Sequence, residues 1–228
     1  FTLLGKKIKF FRLFSIISMH NLANVVMPVR SGELSYVFFT RKDGVDTSEG
    51  FGTLLLARLF DVASILLVFV LAYVLFESAP KETFTILFWF FLVVVLGFLF
   101  MFCLIVFKSK LGVLFGKVLD VFNLRRFDVI KKVQEKVGQI IDVIRTIGFS
   151  KLAFLILIES LLIWGLMFYF SFYVLNLLGL EVGFLETVLG IALIQALLVL
   201  PIYGVLGFGT MEAAFTIGFL ILGFEKEL

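Results

Sequence analysis

Three short stretches set charged, proline and glycine residues into or beside apolar runs, and any chemistry in this chain has to be built from them. The first is Met27-Pro28-Val29-Arg30-Ser31-Gly32-Glu33-Leu34. Proline removes an amide donor and ends the preceding helix, while Ser31 is expected to cap a new helix with Glu33 in its first turn. A helix restarting there turns free N–H groups and the positive end of its dipole into the break beside Arg30, an arrangement that suits a phosphate. An ordinary loop and cap at a membrane edge uses the same residues.

The second stretch holds Arg58 and Asp61 within Leu54–Ser64. A spacing of three puts both on one helix face, where they neutralise each other and still offer a guanidinium fork to an anion. A shared network of Arg30, Glu33, Arg58 and Asp61 is expected; a buried structural pair is the plainer reading. The third stretch runs from Pro201 through Gly204, Gly207 and Gly209 to Thr210 and Glu212. Its glycines permit backbone conformations that a side chain forbids, Thr210 is expected to cap, and Glu212 falls in the first helical turn. Proline, glycine, cap, glutamate and helix thus recur in both halves, the usual pointer to a transport site between inverted repeats; with no wider repeat in the sequence, coincidence of cap chemistry is the plainer reading. Glu159 and Gln195 are further candidates for cavity lining, and a structural hydrogen bond explains either equally well. Tyr203, Trp164 and the many phenylalanines read as lipid-facing or core residues.

Other chemistries are disfavoured. One histidine, His20, and one cysteine, Cys103, leave no metal-ligand cluster, no disulfide framework and no implied cofactor. No nucleophile stands with an adjacent base. A formal charge of +3, unevenly placed, speaks to topology and lipid headgroups rather than nucleic acid.

The elements that must position these residues are membrane helices. Hydrophobic residues make up 61% of the chain, where soluble domains run nearer half. Residues 84–107 carry no charge and residues 152–178 carry only Glu159, and about 20 apolar residues suffice to cross a bilayer. Apolar segments are expected at roughly 10–28, 52–76, 84–107, 152–178 and 183–200, with a piece at 210–224 that at about 22 Å is too short to cross alone. All are expected helical, because lipid offers the backbone no partners.

Between the third and fourth segments, Lys108–Lys151 holds ten Lys or Arg against four Asp or Glu, which assigns this loop to the cytoplasm. Its apolar residues recur at helical spacing (Leu111, Leu114, Val118, Phe122, then Ile130, Val133, Val137, Ile140, Ile144), giving an amphipathic pair broken near 123–128. Such a pair serves as a lipid-sensing surface, or simply lies on the interface or packs on the bundle. Counting crossings back from the loop puts 30–50 inside. The basic cluster Lys6–Arg12 belongs there too, so segment 10–28, with Ser15, Ser18, His20, Asn21 and Asn24, is expected to dip in and return. A true crossing against the charge rule is the alternative. Beginning at Phe1 with no cleavage site, the sequence reads as a fragment or processed chain rather than one with a signal peptide.

Pro28-x-Arg30-x-Gly32-Glu33, Arg58-x-x-Asp61, and Pro201 with Gly207-x-Gly209-x-x-Glu212 together resemble the flippase-like transmembrane domain of lysylphosphatidylglycerol synthases, a family that also occurs as stand-alone prokaryotic membrane proteins. The likeness in order and spacing covers nearly the whole chain, 1–228, as one domain with 108–151 as a basic cytoplasmic insertion. It implies an all-α polytopic bundle with two re-entrant or broken helices around a lipid-accessible cavity in the cytoplasmic membrane. Arg30, Glu33, Arg58, Asp61, Gly207, Gly209, Thr210 and Glu212 would line or brace that cavity, with breaks at Pro28, Gly32, Pro201 and Gly204. Val205 and Leu206 depart from the family's Pro-x-Pro-Gly-Gly-x-Gly pattern. The family's aminoacyl-transfer domain and upstream helices are not found in this sequence. The expected function is translocation of an anionic or aminoacylated phospholipid, or a lipid-linked phosphate, without enzymatic turnover. Lipids with phosphate headgroups are the expected partners, alongside a second copy or a partner enzyme. Alternatives are a non-transporting anchor for a partner enzyme and a membrane enzyme acting on lipid phosphate.

Overall fold

The computed structural model describes residues 4–27, 31–75, 89, 92, 96, 128–148, 150–198 and 207–222. Among them the secondary structure is helical: α1 (Phe10–Val26), α2 (Glu33–Arg41), α3 (Thr47–Leu75), α4 (Asp128–Gly148), α5 (Lys151–Leu177), α6 (Phe184–Leu198) and α7 (Thr210–Ile221). The predicted apolar segments at 10–28, 52–76, 152–178, 183–200 and 210–224 each reappear as one of these helices. The segment at 84–107 lies outside the described residues except for Trp89, Leu92 and Leu96, which are helical.

Helices α3 and α5 form the spine. Their 29 and 27 residues correspond to about 43 and 40 Å, and both are apolar and long enough to cross a membrane. They run side by side in the same direction, since Ser160 meets Asp61 and Phe168 shares a buried cluster with Phe69 and Ala72. Reciprocal caps fix where helices start. Asp46 accepts the Ser48 amide at 2.8 Å while its own amide donates to Glu49 at 2.7 Å, opening α3. Glu186 takes the Gly183 amide at 2.7 Å before α6 in the same way.

Two antiparallel hairpins pack on this spine from opposite ends. In the first, α1 meets α2: Arg12 pairs with Asp43 at 3.0 Å, His20 with Ser35 and Tyr36, and Gly32 rests on Ala23 and Asn24. A Cβ at Gly32 would collide with the Ala23 and Asn24 backbone, so the hairpin closes only with glycine there. In the second, the turn at 178–183 reverses the chain, α6 packs back on α5 and α3, and α7 packs back on α6. Gly190 and Gly218 allow that approach; a Cβ on Gly218 would lie 3.2 Å from the Gly190 carbonyl oxygen and 3.0 Å from Ile194. Val188, Leu189, Ala192 and Leu193 join Phe69, Ala72 and Phe168 in the largest buried cluster.

Of the expected amphipathic pair, α4 is the second member, and residues 108–127 lie outside the described ones. Helix α4 packs along the first part of α3, Asp46 beside Lys136, Ser48 beside Gln139, Gly52 against Val143 and Leu56 near Gly148. These pairs advance together, so α4 runs parallel to α3. Its apolar stripe is divided: Ile144 and Ile147 are buried on Leu56, whereas Val133 and Val137 remain exposed.

Candidate functional site

An arginine in an apolar helix is costly unless its five donors find partners, so the surroundings of Arg58 identify the site. Its Nη2 lies 3.2 Å from Glu33 Oε1 at the start of α2, and its Nη1 lies 3.5 Å from Asp61 Oδ2 one turn along α3. Asp61 turns its other oxygen to α5, accepting from Ser160 Oγ at 2.9 Å and Trp164 Nε1 at 3.3 Å. Three elements are thereby tied together: the tip of the first hairpin, the spine helix α3 and its neighbour α5.

This cluster stands about 16 Å along α3 from Thr47 at 1.5 Å per residue. It is not sealed: the Arg58 side chain is 42% exposed and those of Asp61 and Glu33 are 30% and 27% exposed. Arg58 Nε is itself buried and has no hydrogen-bond partner among the described residues, as is Ser64 Oγ one turn beyond Asp61. Two carboxylates and one guanidinium leave this described part of the site with one net negative charge.

A second polar layer lies inside the hairpin. His20, 6% exposed, has its Nε2 3.0 Å from Asn24 Nδ2 and its Nδ1 3.4 Å from Ser35 Oγ, and its ring meets Tyr36 edge-on at 5.7 Å. The Tyr36 hydroxyl lies 3.5 Å from Thr53 Oγ1 on α3. Polar side chains therefore continue from the hairpin to the spine helix.

Of the four-residue network expected from sequence, Glu33, Arg58 and Asp61 come together, and Arg30 lies outside the described residues, as do the breaks at Pro28, Pro201 and Gly204. Two expected caps are corrected. The cap position of α2 is Gly32 rather than Ser31, with no side-chain cap bond, and that of α7 is Gly209 rather than Thr210. The physical reason at α7 is backbone conformation: Gly207 and Gly209 hold φ of 75° and 78°, where glycine is favoured, and the chain enters the helix through them. Thr210 Oγ1 donates back to the Gly207 carbonyl at 3.0 Å, and Glu212 accepts the Gly209 amide at 2.8 Å. Glu212 thus repeats the role of Glu49 and Glu186 as a helix-start acceptor. Glu159 is exposed on α5 and Gln195 half-buried on α6.

Sequence reasoning passed over Ser160 and Trp164, placing the indole among lipid-facing or core residues. Their signal is a hydroxyl and an indole N–H four apart on one face of an apolar helix. It also gave His20 and Asn24 no more than a share in a polar segment.

The family model for the lysylphosphatidylglycerol synthase TM region matches residues 2–228. The chain belongs to this family. No curated protein and no solved structure matches it. The transmembrane family and the two long apolar helices together make this a membrane protein. Among the described residues, the Arg58 network brings opposite charges and partial exposure together at the start of α2.

Proposed function

We propose that this domain moves a phosphate-bearing lipid between bilayer leaflets, with the Glu33–Arg58–Asp61 network as its headgroup site. The observation that carries this reading is a partly exposed guanidinium, with an unpartnered buried Nε, where a hairpin tip meets an apolar helix long enough to cross the membrane. Charge at such a depth costs at least ~2.5 kcal/mol on insertion scales, and a headgroup needing the site offsets that cost. Arg58 engages the phosphate; Glu33 and Asp61 balance it or meet a cationic headgroup.

In this reading the α1–α2 hairpin is a re-entrant element entering from the cytoplasmic face. Its support is the placement of Lys6 and Arg12 at one end of the bundle with Gly44, Glu49 and the basic helix α4. The α6–α7 hairpin enters from the other face, and exposing the network to one leaflet and then the other gives alternating access. The work asked of the protein is binding and orientation, without covalent turnover, in the cytoplasmic membrane of a prokaryote.

The test is lipid movement in reconstituted vesicles. Arg58→Ala removes charge-assisted contacts worth about 1.5–3 kcal/mol, so the rate falls roughly ten- to a hundredfold while the protein still folds. Unchanged movement would take the network out of the mechanism and return the domain to the anchor reading.

A further inference from the structure

We infer that His20 is a proton-binding site whose occupancy controls the Glu33–Arg58 clasp at the tip of the first hairpin. The inference deepens the translocation reading, on which its consequence for transport rests.

The ring is the chain's single imidazole and sits buried in the hairpin with both nitrogens engaged. The Asn24 amide nitrogen only donates, so Nε2 accepts from it and Nδ1 carries the hydrogen toward Ser35 Oγ: this is neutral histidine. In this arrangement Asn24 Oδ1 is buried without a hydrogen-bond partner among the described residues. A buried orphan acceptor is costly, and this one belongs to the group already touching Nε2. When a proton from solvent binds Nε2, a half-turn of the Asn24 amide brings Oδ1 to accept the new N–H bond. The hairpin thus contains the partner for the imidazolium as well as for the neutral ring.

A charge gained there is felt at the headgroup site. Among the described residues, the charged groups whose field acts on the ring are Arg58 of α3 and Glu33 of α2, and the titratable Tyr36 lies against its edge. Within α1 the charged Arg12 is two turns away and held by Asp43. An imidazolium repels Arg58 and draws Glu33, and both effects weaken the clasp. Arg58 is left with Asp61 and gains donors for a phosphate. Returning the proton to solvent restores the clasp and releases the ligand, so proton binding and headgroup binding favour each other.

The chain contains its own reporter, because Trp164 donates to Asp61, the other partner of Arg58. Of the two tryptophans, Trp89→Phe removes one and leaves Trp164 to report alone. In that background, in lipid nanodiscs, emission is expected to follow a one-proton curve on acidification from neutral pH. The curve disappears in His20→Gln, and Asn24→Ala lowers its midpoint by roughly one unit by removing the imidazolium's acceptor. An unchanged curve in His20→Gln, or no transition in the parent, overturns the inference. Isotope-labelled histidine in the unmodified chain supplies a readout independent of variant folding: a ring that stays neutral by NMR on acidification to the point of unfolding overturns it equally. These titrations require no lipid movement. A protein that shows the His20 transition yet moves no lipid retains the proton site and loses the translocation reading alone.

Discussion

Asp61 gathers two neutral donors and one cation from two helices, which makes it the residue on which the site's geometry depends most. Asp61→Ala leaves the Ser160 hydroxyl and the Trp164 indole without their acceptor and Arg58 with Glu33 alone. Thermal unfolding in detergent should show a loss of about 1–3 kcal/mol, larger than for Trp164→Phe, which removes a single donor. Equal losses in the two variants would mean that Asp61 does not organise the cluster. Part of this was readable in the sequence. The Arg58 and Asp61 pair follows from helical spacing, and Glu33 from a cation's need for a second carboxylate. Ser160 and Trp164 were not readable, because they lie 99 and 103 positions from Asp61 and neither side chain by type demands an ionic partner.

Contacts between elements depend on a few small residues, and Gly52 marks the tightest approach of α4 to α3. A Cβ there would lie 2.7 Å from Val143 Cγ1, inside any tolerated contact. Gly52→Ala should therefore destabilise by about 1–3 kcal/mol, and Val143→Ala in the same chain should recover most of the loss. A double variant no better than the single one would place the crowding elsewhere. The same junction carries a pH response. The Ser48 amide, and then Lys136, hold the Asp46 carboxyl below the usual aspartate range. A carboxyl lowered on folding stabilises fully above its ordinary value and loses that contribution as pH falls through the lowered one. Thermal unfolding in detergent should thus show stability falling on acidification through the acid range, and falling less in Asp46→Asn than in the parent chain. Helix existence was legible here because apolar length and the stripe through Ile140 and Ile144 show in the sequence. That α4 stands parallel to α3 was not legible, since it depends on Gly52 and Val143 meeting across the loop.

At the scale of the whole molecule, the two hairpins pack on the α3–α5 spine from opposite ends, and this arrangement determines what the domain is able to do. The foot of the first hairpin gathers Lys6, Arg12, Asp43, Gly44 and Glu49, whose ion pairs and hydrogen bonds hold both ends of α1–α2 at the level where α3 begins. Helix α1, with 17 residues, reaches about 25 Å and α2, with 9, about 13 Å, so neither spans a hydrocarbon core of roughly 30 Å. The turn at 178–183 belongs to the far end of the spine. A membrane-impermeant thiol reagent should therefore label Lys7→Cys and Lys42→Cys from the same side of sealed vesicles, and Glu181→Cys only from the other, each in a Cys103→Ser background. All three positions are exposed. Positions 7 and 42 reacting from opposite sides would mean that α1 crosses the membrane, removing the re-entrant reading and the route by which a headgroup reaches Arg58. Labelling of position 181 from the same side as 7 and 42 would remove the opposed hairpins. The labelling result and the Arg58 transport result are independent, because the first reads only where the chain lies and the second reads only what the network does.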